Sequence, residues 1–131
     1  MRFCVALLAS VEIVALSSPA FAGSETFVDP RSGSTLKVKQ GDDLVLKLHA
    51  TAGTGYQWKV VSTDRSLGYP KLKVEDLSPG RVGGGLYYVF IWKTRVPYPL
   101  LGSHAVKLAY LRSWEPDRPA KTLNLKIRVV Q

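Results

Sequence analysis

The chain has one cysteine, at position 4, and none from Val5 to Gln131. That excludes a thiol nucleophile, a thiolate metal site and a disulfide-stapled core in the body of the protein. Histidine is almost as scarce. His49 and His104 lie far apart in sequence, and neither has a second histidine or cysteine at metal-ligand spacing. His49 falls on the polar side of a predicted strand and His104 begins another, which suits solvated or structural roles. No Gly-x-Ser-x-Gly elbow or phosphate loop occurs, and Asp42-Asp43 precedes a strand like an ordinary turn. Catalysis, a metal and a cofactor are therefore not expected. Acidic residues are few: 10 Asp and Glu stand against 18 Lys and Arg, a formal net charge of +8. Long apolar runs are missing too, since a bilayer-spanning helix needs about 20 apolar residues.

What is present begins with an export-like start. Met1-Arg2 is followed by a largely apolar stretch from Phe3 to Leu16, interrupted by Glu12. Ser17-Ser18-Pro19 breaks a helix, and Ala20-Phe21-Ala22 has the small-x-small pattern of a signal-peptidase site. Residues 1–22 are read as a signal peptide, with cleavage before Gly23 and a destination outside the cytoplasm, secreted or periplasmic. Cys4 stands at the front of this segment rather than at its end, which argues against a lipid-modified cysteine. Residues 23–131 then form one cysteine-free domain. It is long enough to bury roughly 60–70% of its unfolded surface without cross-links.

The apolar period of that domain is two residues. Leu44, Leu46 and Leu48 alternate with Val45, Lys47 and His49; Leu123, Leu125, Ile127 and Val129 alternate with Asn124, Lys126 and Arg128. Val106, Leu108 and Tyr110 form a third such set, and Leu72 and Val74 a shorter one. Residues 86–93 are apolar on both faces, as for a central strand covered on each side. Short strands at 26–28, 35–39 and 57–62 complete the pattern, with Gly, Pro, Asp and Ser clusters between them. Seven to eight short strands in this length predict an all-β fold, an immunoglobulin-like antiparallel β-sandwich, with a small closed barrel as the alternative.

Most of the excess positive charge lies on these strands. Lys37, Lys39, Lys47, Lys71, Lys73, Lys107, Lys126 and Arg128 alternate with apolar residues, as expected of solvated sheet faces. No basic motif interleaved with aromatics is present, so nucleic acid is not an expected partner. A membrane is not expected either, and the domain is expected to be a monomer.

Three connecting segments exceed ordinary turn chemistry. The first, Thr51-Ala52-Gly53-Thr54-Gly55-Tyr56, leaves backbone bare beside two glycines, although a flexible hairpin turn accounts for two glycines equally well. Tyr56 and Trp58 share one strand face and point to the core, with Tyr56 anchoring the loop base. The second, Gly83-Gly84-Gly85, is costly to order and suits close backbone approach to another chain. The third runs Tyr110-Leu111-Arg112-Ser113-Trp114-Glu115-Pro116. Arg112 and Trp114 have the profile of interface anchors; Trp114 folded back on the sandwich, with Arg112 paired to Glu115, is the competing arrangement. In a sandwich, alternate connections gather at one end, so the three segments are expected to form a joint wedge.

Taken in order, Thr54-Gly55-Tyr56 with Trp58, Gly84-Gly85, and Gly102-Ser103-His104-Ala105-Val106 leading to Tyr110-Leu111-Arg112-x-Trp114 resemble the chagasin-like inhibitors of papain-family cysteine proteases. The resemblance spans nearly all of residues 23–131. It implies a reversible, tight-binding inhibitor that occludes the active-site cleft of a papain-like cysteine protease with three loops. By that resemblance Thr51, Gly53, Thr54, Gly55 and Tyr56 belong to a loop over the catalytic cysteine. Gly83, Gly84 and Gly85 line the substrate side, and Arg112 and Trp114 reach the leaving-group side. The sequence departs from the family's motifs at Thr51, Ala52 and Gly53, at Val82 and at Ser113, and each change is expected to loosen its loop. The alternative is an exported adhesive sandwich that binds a glycan or an envelope protein through Tyr87, Tyr88, Trp92 and the loop aromatics, or a polyanion-binding module using the lysine face.

Overall fold

The structure is a computed structural model that describes residues 23–80 and 83–131; the expected signal peptide and Val82 lie outside the described residues. Eight strands follow in order: β1 (Ser24–Val28), β2 (Thr35–Lys39), β3 (Asp43–Thr51), β4 (Tyr56–Thr63), β5 (Lys71–Asp76), β6 (Gly85–Lys93), β7 (Gly102–Arg112) and β8 (Lys121–Val130). They form two four-stranded sheets, ordered β1-β3-β6-β5 and β2-β8-β7-β4. The fold is a sandwich rather than a closed barrel.

Two-residue periodicity sorts the side chains. Leu44, Leu46, Leu48 and Ala50 of β3 face Leu123, Leu125, Ile127 and Val129 of β8 across a core that also holds Phe90, Trp92, Val106 and Leu108. Each large apolar side chain taken fully from water contributes on the order of 1.5–3 kcal/mol, so this interleaved layer holds the two sheets together without cross-links.

The sandwich departs from the expected antiparallel pattern at one edge. β1 pairs parallel with β3, and β2 pairs parallel with β8; the other four pairings are antiparallel. β1 and β2 share the edging of the sandwich, one on each sheet, and the chain crosses between them at Asp29-Pro30. Asp29 makes the corner with a left-handed backbone, φ 46°, a conformation that aspartate tolerates better than most residues. Its N–H donates to the Lys47 carbonyl at 2.9 Å, and its carboxylate accepts the His49 N–H at 2.8 Å.

β6 is central in its sheet as expected, but its outer face carries no second layer. Val89 is 1% exposed, and the register sets Lys47 and Lys73 on either side of it. Both ammonium groups reach Glu75, at 3.5 and 3.6 Å, so their aliphatic stems lie along the sheet and cover the valine. Trp92 is 1% exposed and its indole N–H donates to the Gly68 carbonyl at 3.1 Å. That burial removes it from any glycan-binding surface. Tyr88 packs against the core and Tyr87 meets the His49 ring edge-on, so of the aromatics in the adhesive alternative only those of the loops stand fully free on the surface.

Candidate functional site

Loop 1 (52–55) joins β3 of one sheet to β4 of the other, so it lies across the end of the sandwich. Loop 2 (77–84) precedes β6 and loop 3 (113–120) follows β7, and both open at this same end. Loop 1 touches each of them. The Ala52 N–H donates to the Gly84 carbonyl at 2.9 Å on one side. On the other, the Arg112 Nε–H donates to the Thr54 carbonyl at 3.3 Å.

Loop 1 is braced from within, contrary to the loosening expected from its sequence. The Thr54 hydroxyl donates to the Thr51 carbonyl at 2.9 Å and accepts the Tyr56 N–H at 3.3 Å, closing a side-chain-mimicked turn. Gly53 and Gly55 take φ 81° and 78°, backbone geometry open to glycine and strained for most other residues. Gly55 has a second reason to be glycine: a Cβ there would collide with Cη2 of Trp114. The Trp114 ring therefore lies directly against the backbone of loop 1 while remaining 63% exposed. The two arrangements weighed for this segment merge, because Trp114 packs on the protein and faces solvent at once. Arg112 does not pair with the Glu115 carboxylate; its carbonyl accepts the Glu115 N–H at 3.0 Å instead.

A file of stacked groups supports the loops from below. The Arg112 guanidinium carbon stands 4.4 Å from the centroid of Tyr56 and 5.7 Å from that of Trp114. Tyr56 stacks on Tyr110 with centroids 5.2 Å apart, and Tyr110 meets Trp58 at 5.0 Å. Contacts of this kind contribute about 0.5–1.5 kcal/mol each beyond area burial. The file also terminates β3: the Tyr110 hydroxyl accepts the Thr51 N–H at 3.3 Å, and the Trp58 indole donates to the His49 carbonyl at 2.8 Å. Tyr56 and Trp58 thus do share a face and anchor loop 1. The sequence places Tyr110 at the head of the third segment without assigning it a role; its inward parity with Val106 and Leu108, one residue pair before Arg112, is the signal that marks it as loop support.

The glycine run divides by position. Gly83 is exposed, with φ 74°, and Gly84 gives its carbonyl to loop 1. Gly85 already belongs to β6, opposite Thr51, where a Cβ would come within 3.3 Å of His49 Nε2. The structure therefore brings all ten sequence-predicted positions to one end: Thr51, Gly53, Thr54, Gly55, Gly83 and Trp114 exposed, and Tyr56, Gly84, Gly85 and Arg112 half-buried in the joints between loops and strands.

A family model described as the chagasin family of peptidase inhibitors, I42, matches residues 37–129. Amoebiasin-1 of Entamoeba histolytica is 27% identical over 105 residues, covering 79% of this chain and 98% of its own. Among solved structures, the cysteine protease inhibitor EhICP2 of Entamoeba histolytica superposes with a TM-score of 0.64 at 19% identity, over 86% of this chain and all of that one. Amebosin gives a TM-score of 0.60 at 24% identity over 84% of this chain and all of that one. PbICP-C, solved in complex with falcipain-2, gives 0.55 at 17% identity over 83% of this chain and all of that one. These three likenesses are of fold.

Proposed function

Since the chain belongs to the chagasin family of peptidase inhibitors, we propose that it inhibits papain-like cysteine proteases reversibly by seating loops 1, 2 and 3 in the active-site cleft. The protein is an inhibitor and not an enzyme. Its relatives include a protein solved as a cysteine protease inhibitor and one solved bound to falcipain-2, which supports that target class. The observation that carries the proposal is the continuity of the three loops. Loop 1 is hydrogen-bonded to Gly84 on one flank and to Arg112 on the other, so the end of the sandwich presents one ridge rather than three separate turns.

In this reading Gly53 and Thr54 form the crest and enter nearest the catalytic cysteine. The turned backbone at Gly53 and Gly55 is unlike the extended chain that a peptidase cleaves, so the crest fills the cleft without offering a scissile bond. Gly83 and Gly84 lie along one wall, and Trp114 supplies rigid aromatic area on the other, as interface anchors do. Preformed contacts among the loops reduce the ordering cost of binding, about 1–2 kcal/mol for each backbone residue that would otherwise be fixed on association.

Titration of papain with the purified protein tests this directly. Activity should fall stoichiometrically, return on dilution, and leave the inhibitor uncleaved by mass. Full papain activity at micromolar inhibitor would overturn the proposal. Export of a monomer beginning at Gly23 is part of the same reading, supported by Met1-Arg2, the apolar stretch and Ala20-Phe21-Ala22. The N-terminal residue and mass of the protein recovered from outside the cytoplasm would check it.

A further inference from the structure

Inhibition uses one end of the sandwich and leaves the outer face of the β2-β8-β7-β4 sheet unemployed. Alternation and register put Lys37, Lys39, Lys59, Lys107, Lys126 and Arg128 on that face. The four strands contain no aspartate or glutamate. On the other sheet two of the four lysines, Lys47 and Lys73, reach Glu75, while among the described residues Lys71 and Lys93 have no such partner. Among the described residues, none of the six cations on the second sheet is ion-paired. Lys37 and Arg128 are direct cross-strand partners, so the face holds like charges side by side, an arrangement that opposes strand pairing unless an anion relieves it.

The face is also shaped. A groove of about 300 Å³ crosses it, lined by Gly33, Ser62, Ala105, Lys107, Asn124 and Lys126 together with Val106 and Leu125. Its two lysines, Lys107 and Lys126, stand on the neighbouring strands β7 and β8. It runs from the β2 edge to β4, roughly 14 Å at the usual strand spacing. The exposed face has no aromatic ring on which a nucleobase would stack. Among the described residues Val61 at the β4 bulge is its sole exposed large apolar residue, too little to insert into a bilayer. A trough edged by cations fits a linear chain better than a planar surface. We infer that this face is a docking site for a linear acidic polysaccharide, held by its carboxylate or sulfate groups, which would tether the inhibitor while its loops stay free.

Binding of the full protein to polygalacturonate tests the inference, with neutral dextran, single-stranded poly-dT and phosphatidylglycerol vesicles as comparators. Two triple variants carry the same charge change on opposite faces: Lys37→Gln/Lys107→Gln/Lys126→Gln on the grooved face, and Lys71→Gln/Lys73→Gln/Lys93→Gln on the other sheet. Polygalacturonate should bind the parent in low salt, weaken about tenfold or more as salt rises from 50 to 200 mM, and raise the Tm. The groove variant should lose at least tenfold in affinity at a Tm no lower than the parent's without polymer, because the Lys37–Arg128 repulsion is relieved, and the other variant less than threefold. Equal losses in both variants would reduce the effect to net charge and overturn the site. Absence of polygalacturonate binding, or tighter binding to poly-dT or to vesicles, would overturn the ligand class. Because binding is measured without a protease, failure of the inhibitor reading would appear separately, in the papain titration.

Discussion

The two ends of the sandwich solve one problem, the fixing of chain reversals, with different materials. At the end away from the loops the central ties are two buried side chains, Thr94 and His104. Thr94 is fully buried; its hydroxyl donates to the Asp42 carbonyl at 2.7 Å and accepts the Gly41 N–H at 2.8 Å, locking the β2–β3 turn. His104, 7% exposed, donates from Nε2 to the Leu100 carbonyl at 2.6 Å and sets Nδ1 within 3.4 Å of Asp64. The Tyr98 hydroxyl donates to the Ser66 carbonyl, joining the same corner. At the loop end the ties are backbone groups of glycines, one threonine hydroxyl and a file of rings that ends at Trp114 in solvent. A buried tie holds the fold and has nothing left to offer a partner. An exposed tie shapes a surface that remains available for contact.

Four substitutions would break or sharpen that contrast, the largest effect first. Gly55→Val forces a side chain into the Trp114 ring at a positive φ, and should weaken papain inhibition at least 100-fold by parting loops 1 and 3. Its Tm should fall by only a few degrees; retained inhibition would show that the two loops act separately. Trp114→Ala should weaken inhibition about 30-fold, equivalent to about 2 kcal/mol, with the Tm nearly unchanged. Unfolding of that variant would make Trp114 part of the core.

Thr94→Val should do the reverse, destabilising the protein by about 1–2 kcal/mol in urea through the orphaned Gly41 N–H, with inhibition at low temperature intact. The smallest effect belongs to Asp64. Its carboxyl is held below the ordinary carboxylate range, chiefly by the Ser66 hydroxyl at 2.6 Å and the Ser66 N–H at 3.0 Å, with the nearby His104 adding to them. A lowered folded-state pKa contributes stability that is present above the unfolded value of about 3.9 and is lost as pH falls through the folded value. Asp64→Asn should therefore flatten the loss of Tm below about pH 4 and leave inhibition near neutral pH untouched. A change in inhibition instead would couple the two ends.

The sequence shows the strands plainly because a half-buried strand writes its burial as alternation; β2 was read with its observed bounds, and the longer strands to within a few residues. Direction leaves no such trace. Leu36 and Val38 alternate in the same way whether β2 runs with β8 or against it, so the parallel edge was invisible. Charge on a strand was also ambiguous: Lys47 and Lys73 read as merely solvated, yet their stems bury Val89. The loop residues were found because glycine, arginine and tryptophan are conspicuous in turns. The joints among them were not, since a contact between Arg112 and Tyr56 needs the β4–β7 register, and nothing in either segment states it.

The attachment of the loops to one another also determines how the ridge can be exchanged. Among the described residues loop 2 meets loop 1 through the Ala52–Gly84 hydrogen bond, donor and acceptor both main chain, which a different sequence can reproduce. Loops 1 and 3 meet through side chains, with Arg112 between two rings and Trp114 over a glycine that must stay bare. A graft meant to change target preference can therefore replace loop 2 alone. Loops 1 and 3 must travel as a cassette, Thr51 to Tyr56 together with Arg112 to Trp114, or the transplanted crest arrives without its buttress.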